Sequence, residues 1–345
     1  MKVSQSDGVL PDHALRALYD QGAIAASTAF ADTQIQPASL DLRLGDHAYR
    51  VRASFLPGGA RSVSARLAQS DLAMHRLDLT DGAVLETGCV YLVPLQESLA
   101  LPADIFGLAN PKSSTGRIDV FVRVICDGAT SFDRVPHGYK GPLWAEICPR
   151  TFSILARPGD RLTQLRLKTG TTIALDQRDL NLDLSQDSLG GIIGYRARRH
   201  APLLDLAKVG THPPRDWFEP LVARDGRLVL DPGEFYILAS LPGLSIPREM
   251  AAEMVPTAQD LGEFRAHYAG FFDPGFGLGP HETQGTRGVL EVRGRDVPFV
   301  LEHGQPVARL IYEKLASPPD HVYGEMGSHY QGQSLKLSKL FAPWS

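Results

Sequence analysis

The sequence predicts an all-β protein built from two tandem copies of one small domain, with only minor helices. Three observations predict it. Apolar runs are short and broken by turn residues, Gly (33) and Pro (25) are plentiful, and segments recur at a fixed offset. With 345 residues, 43% of them apolar, the chain can fill two cores of ordinary size.

Taken in order, the first expected element is a helix from about Asp12 to Gln21. Asp12 is its expected cap, and Leu15, Leu18 and Tyr19 lie at helical spacing. The apolar runs 88–94, 162–167, 234–241 and 307–312 read as strands. Turn signals such as Arg157-Pro-Gly-Asp160 and Leu230-Asp-Pro-Gly233 separate alternating strands. Each copy reads as a compact antiparallel sandwich or barrel.

The repeat is carried by particular residues. Gly88-Cys-Val-Tyr-Leu returns as Gly233-Glu-Phe-Tyr-Ile, an offset of 145. At the same offset Leu99-Ala-Leu-Pro102 returns as Leu244-Ser-Ile-Pro247, Pro111 as Pro256, Glu146 as Glu291, Gly159 as Gly304 and Leu165 as Leu310. Tyr49-Arg-Val-Arg52 returns as Tyr195-Arg-Ala-Arg198 at 146. Scattered turn residues do not hold one register from Gly88 to Leu165. The expected domains are 1–172 and 173–345, with the cut in the polar stretch 169–179.

Charge and cysteines narrow the function classes. A net charge of −4 argues against a nucleic-acid polymer as partner, because such binders carry excess Lys and Arg. Cys89, Cys126 and Cys148 are sparse and odd in number, which fits a reducing compartment. The first ten residues lack a signal-peptide pattern, and no apolar stretch is long enough for a membrane span. The expectation is a cytoplasmic protein with no membrane partner.

Two segments carry chemistry. Asn110-Pro-Lys-Ser-Ser-Thr-Gly-Arg117 gathers a Lys, two hydroxyls and an Arg in a short loop. Such a loop can hold an anion, and it also reads as a solvated basic turn. In Gly138-Tyr-Lys-Gly-Pro-Leu-Trp-Ala-Glu146, a carboxylate interrupts an apolar strand and shares a face with Trp144 if the strand alternates. Burial there would raise its pKa and suit a general base; an ion pair with an Arg such as Arg150 is the structural alternative.

Taken together, Lys-Ser-Ser-x-x-Arg, Gly-Tyr-x-Gly, an apolar strand ending in Glu, and Arg157-Pro-Gly-Asp-Arg-Leu-x-Gln-Leu resemble the dCTP deaminase family. Ile35-Gln-Pro-Ala-Ser-Leu-Asp-Leu-Arg-Leu-Gly45 is similar to that family's first strand. Copy 2 joins the resemblance through Phe272-Asp-Pro-Gly-Phe-Gly277, Val289-Leu-Glu291 and the tail, in the manner of a two-domain branch. The resemblance implies two dUTPase-like distorted β-barrels (β-clip domains). It implies zinc-free hydrolysis of dCTP to dUTP and ammonia, with Mg²⁺ bound through the substrate triphosphate. By matching position the catalytic residues would be Glu146, Ser113 and Arg117, with Lys112 and Ser114 on the phosphates. Zinc deaminases activate water on a His-x-Glu and Cys-x-x-Cys set, and no Cys-x-x-Cys occurs here. Single-domain relatives are trimers whose sites straddle subunits, so a homo-oligomer, first of all a trimer, is expected.

The copies depart from the pattern in complementary ways. Copy 1 reads Val135-Pro-His-Gly138, with Pro136 where the family has a nucleotide-holding Asp; copy 2 keeps that residue as Asp273. Copy 2 reads Pro256-Thr-Ala-Gln-Asp-Leu in place of the Ser/Arg loop, yet keeps Glu291. The expectation is a mixed site, with the loop from copy 1 and the hairpin and Glu291 from copy 2. Glu146 stays the alternative base.

The tail Tyr323-Gly-Glu-Met-Gly-Ser-His-Tyr-Gln-Gly-Gln333 resembles the family's closing segment, which places Tyr323, His329 and Gln333 near the triphosphate. His329 stands where the family has Lys, and a Gly-rich end also reads as a flexible polar tail. His137, His267, His281 and His303 show no metal-ligand spacing. Asp260, Glu263 and Arg265 read as an ion-pair cluster or a remnant of the lost loop. The rivals to the deaminase reading are a dUTPase or bifunctional deaminase/diphosphatase, and a non-catalytic nucleotide-binding regulator.

Overall fold

The structure, a computed structural model, describes residues 7–69, 71–171, 174–185, 191–223, 225–241, 243–256, 264–266 (backbone), 270–279, 285–325, 327 and 329–344. Most of loop 256–261, Asp260, Glu263, His267, His281 and the Arg265 side chain lie outside the described residues.

Strands dominate, in line with the alternating runs. In the first half, one six-stranded sheet is centred on Thr163–Thr169, which pairs with Ile105–Pro111, Ser39–Leu42 and Gly8–Val9. A second six-stranded sheet is centred on Val90–Ala100 and carries Lys140–Pro149 and, beyond it, Val120–Cys126. In the second half, a nine-stranded sheet runs through Phe235–Leu241, Ala174–Asp183, Pro306–Lys314 and Met250–Pro256, with Val289–Gly294 beside Phe235–Leu241. Ile105–Pro111 and Met250–Pro256 share both bounds at the offset seen in the sequence, and Lys140–Pro149 and Val289–Gly294 share their ends at it.

One local expectation is corrected. The early helix spans Asp12–Asp20, but its cap position is Pro11. Proline before the first turn costs no helical hydrogen bond, because the first N–H groups are unpaired anyway. The Asp12 carboxylate instead accepts from the backbone N–H of Asp320 (2.9 Å) and His321 (3.0 Å), tying the helix to the far end of the chain. Beyond Thr163–Thr169 the polar stretch runs into the strand Ala174–Asp183, which pairs with Pro306–Lys314. Its first six residues are polar-rich because they are exposed, not because they leave the ladder.

The halves meet through apolar and charged contacts. Tyr195, Trp217, Phe218, Phe235 and Phe341 belong to the same core cluster as the first half's strands. Phe152 meets Phe218 edge-on at 5.4 Å. Each such buried ring contributes about 1.5–3 kcal/mol, so the boundary is part of the fold's stability. Beside it Arg166, fully buried on Thr163–Thr169, donates to Ala252 O (3.0 Å), Phe272 O (3.3 Å) and Asp273 Oδ1 (3.4 Å). Lys168 pairs with Glu313 in the same seam. A buried guanidinium is tolerable only when its donors are met, and here most of its partners come from the other half.

Candidate active site

The Lys-Ser-Ser loop is fixed by the strands on either side of it. Ile105–Pro111 leads in, Ser113–Gly116 makes one helical turn, and Val120–Cys126 leads out. The turn closes through Arg117 N–H to Ser113 O (3.1 Å), which projects the Arg117 guanidinium inward. Arg117 is only 3% exposed.

Opposite stands the second half. Val289–Gly294 pairs with Phe235–Leu241 in a register that sets Glu291 against Ile237. Glu291 Oε1 lies 3.9 Å from Arg117 Nε, and that Nε finds no hydrogen-bond partner among the described residues. Burial pushes the Glu291 carboxyl up to about 8 against the pull of Arg117.

The hairpin adds Asp273. Phe271–Phe272 pairs with Met250–Pro256, and Asp273-Pro-Gly275 turns the chain. Gly275 is required: its φ is +87°, and a Cβ there would sit 2.7 Å from Val322 Cβ. Burial raises the Asp273 carboxyl, and Arg166 and then Lys112 pull it back.

These groups line one cavity of about 250 Å³, with Lys112, Ser113, Ser114 and Arg117 from the first half and Asp273 and Glu291 from the second. Tyr323, His329 and Gln333 complete its wall from the tail. Glu146 does not line it. Glu146 instead lies opposite Arg123 on the neighbouring strand, so its cationic neighbour is Arg123 and not Arg150.

The tail is laid over the loop. Arg117 donates to Gln333 Oε1 (2.9 Å) and Lys336 O (2.9 Å), and its guanidinium stacks 3.9 Å from the Tyr330 ring centroid. Ser338 Oγ donates to Ser114 O (2.9 Å). Gln333 is therefore placed on the Arg117 guanidinium. Burial and the charges of Lys339, Lys336 and Lys112 hold the His329 imidazole below its ordinary value, favouring the neutral ring.

Sequence reading missed Asp41, Arg161, Tyr330 and Lys339, all of which line the cavity. Asp41 pairs with Lys112 and lies 3.5 Å from Arg161. Burial and the adjacent Lys112 depress the Lys339 ammonium. Asp41, Arg161 and Tyr330 sat inside the motifs already singled out; Lys339 had no local signal. Of the scattered histidines, His137 stacks against Phe106 at 4.5 Å and His303 Nδ1 accepts from Leu184 N–H (3.1 Å). One group with metal-ligand proximity, Asp12, His13 and Asp320, is seen among the described residues, and none of the three lines the cavity. Among the described residues no helix is long and apolar enough to cross a membrane.

Fold and cavity together define a dUTPase-like protein whose pocket lies between the two halves of the chain. Residues 6–171 match the model of the 2'-deoxycytidine 5'-triphosphate deaminase N-terminal domain, and residues 161–341 match that of its C-terminal domain. The chain belongs to the dCTP deaminase family. A crystal structure of 2'-deoxycytidine 5'-triphosphate deaminase from Agrobacterium tumefaciens superimposes with a TM-score of 0.85 at 49% identity, covering 90% of this chain and 100% of that one. Curated relatives named "dCTP deaminase, dUMP-forming" include those of Kocuria rhizophila (36% identical over 117 residues, 32% of this chain and 57% of that protein) and Mycobacterium ulcerans (36% over 109 residues, 30% and 54%). The chain thus matches little more than half the length of these curated relatives.

Proposed function

We propose that this chain hydrolyses the exocyclic amino group of dCTP, with Glu291 as the proton-handling group and Ser113 and Arg117 as its partners. One observation carries the reading: a hydroxyl and a guanidinium from one half face a buried carboxylate from the other in one cavity of about 250 Å³. Water is a poor nucleophile at neutral pH and needs a positioned base. The ionised Glu291 takes a proton from water as its oxygen adds to C4 of cytosine; the C4=N3 electron pair goes to N3, which receives that proton. That carbon becomes tetrahedral, and Ser113 and Arg117 supply fixed dipole and charge around it. Glu291 then moves the proton of the new hydroxyl to the amine, so the C4–N bond breaks as C4=O forms, ammonia leaves and the ring is uracil.

Lys112, Arg161 and Lys339 form the cationic wall suited to a triphosphate. The nearby carboxylates Asp41 and Asp273 already serve Lys112, Arg161 and Arg166, so Mg²⁺ would be held by phosphate oxygens and water, where it offsets phosphate charge. The described cavity wall offers one imidazole, His329, and no thiol, a donor set unlike that of a zinc deaminase.

The curated relatives' names support a second reading, in which the same cavity goes on to cleave dUTP to dUMP and pyrophosphate with a second water. An ammonia-release assay with dCTP, followed by separation of the products, tests both. Ammonia with dUTP supports deamination alone, and ammonia with dUMP and pyrophosphate supports the bifunctional reading. Tight dCTP binding without ammonia would overturn both in favour of a regulator. Homo-oligomerisation and a cytoplasmic location remain part of the proposal, the first testable by light scattering.

A further inference from the structure

Two residues beyond Arg117 and two beyond Glu291 lie opposite charges that do not line the cavity: Asp119 and Arg293. They find each other across the boundary between the halves. Asp119 is fully buried, in the left-handed backbone region at φ 54°, with its N–H on Gly116 O (2.9 Å) and its own carbonyl accepting from Arg150 N–H (2.9 Å). Its carboxylate is ion-paired to Arg293 Nη2 and accepts from Thr151 Oγ1 (2.5 Å). Arg293 Nη2 also donates to Thr151 Oγ1 (2.8 Å), and its Nη1 donates to Gly233 O.

Strand alternation puts residues 289, 291 and 293 on one face, and Val289 and Glu291 reach the cavity. Arg293 therefore grips the base-bearing strand from the same side, one pleat further on. Asp119 in turn ends the turn that carries Ser113 and Arg117. At the position 145 residues before Arg293 the chain has Cys148, which offers no cation there on the first half's Glu146 strand.

We propose that the Asp119–Thr151–Arg293 cluster is a positioning clamp that sets Glu291 against Ser113 and Arg117 without touching substrate. The proposal rests on the deaminase reading of the site. Its physical content is distance: a displacement of about 1 Å at a reacting group can cost about a hundredfold in rate. Cutting the clamp leaves the strand paired and the cavity walls in place, so substrate still binds while the base stands further from the loop.

The test compares wild type with Arg293→Met, Asp119→Asn, the double variant and Arg293→Lys, using ammonia release from dCTP. Each single neutral variant is expected to lower kcat about tenfold to a hundredfold with KM changed less than about threefold. The double is expected to be no worse than either single, because one interaction has been removed in each case. Arg293→Lys is expected to recover part of kcat. The acid limb of kcat/KM is expected to move to higher pH as Arg117 loses its hold on Glu291. Wild-type kcat and pH profile in folded variants, or losses that multiply in the double, would overturn the clamp. A purely structural role would lower thermal stability while leaving the pH profile of the folded enzyme unchanged. Should the neutral variants fail to fold, Thr151→Val and Arg293→Lys carry the same expectation at about three- to tenfold in kcat. Wild type inactive on dCTP would instead bring down the deaminase reading, and the clamp's catalytic role with it.

Discussion

Glu146 and Glu291 stand 145 residues apart on matching strands, and each is 4% exposed. Burial raises both carboxyls. Their neighbours differ. Glu146 is met by the Arg123 charge of its own half, and its Oε2 has no hydrogen-bond partner among the described residues. Glu291 faces Arg117 of the other half across an open cavity. Equal burial with unequal company shows that depth alone does not make a carboxylate useful. What matters is whether it reaches a space a substrate can enter, with a hydroxyl and a guanidinium already there.

The largest effect that can break this comparison is catalytic. Glu291→Gln is expected to lower kcat for ammonia release from dCTP by about 10²–10⁴, the usual contribution of a positioned acid–base group. Glu146→Gln is expected to stay within about threefold of wild type. Equal losses in the two variants, or a loss confined to Glu146→Gln, would reverse the assignment. Next comes the seam that holds the second half's hairpin. Arg166→Met strands the buried Asp273 carboxylate, leaves Glu313 with Lys168 alone, and is expected to cost about 3–5 kcal/mol in urea unfolding. A change below about 1 kcal/mol would mean that the hairpin is held by other contacts.

A smaller effect sharpens the Glu291 side. The base must be ionised, and its raised pKa means that its active form accumulates only at higher pH. The acid limb of kcat/KM is therefore expected well above the ordinary carboxyl value of 4.5, up to about 8. A limb near 4.5 would point to a different base. The smallest effect concerns Glu146. A carboxyl raised in the folded state holds its proton longer there than in the unfolded chain. Its stabilising contribution is complete below 4.5 and is lost as pH rises through the raised folded value. Glu146→Gln is expected to flatten that decline in a pH series of thermal melts; an unchanged slope would show that the group is solvated.

Much of this was legible in the sequence. Alternation and punctuation indicated the strands. The loop, hairpin and tail that line the cavity were each visible as local strings around Ser113, Asp273 and His329. What was not legible depends on contacts between distant segments. Asp41, Arg161 and Lys339 come from three separate stretches, and no period or spacing relates them. Glu146 and Glu291 look alike along the chain because both interrupt apolar strands; only the opposing surface separates them. Arg166 reads as an ordinary charge on a strand, because a fully buried guanidinium leaves no local trace. The helix cap differs for a similar reason, since the Asp12 carboxylate is drawn away by the backbone N–H groups of Asp320 and His321, some three hundred residues along the chain.

One polypeptide carries both faces of the cavity. In a pocket shared by separate molecules, the opposing groups meet only as often as association allows, and thinning the solution pulls them apart. Here the link between the halves keeps the local concentration of one face around the other high at any dilution. Specific activity should then stay level down to protein concentrations at which a pocket assembled from separate chains would already have fallen open.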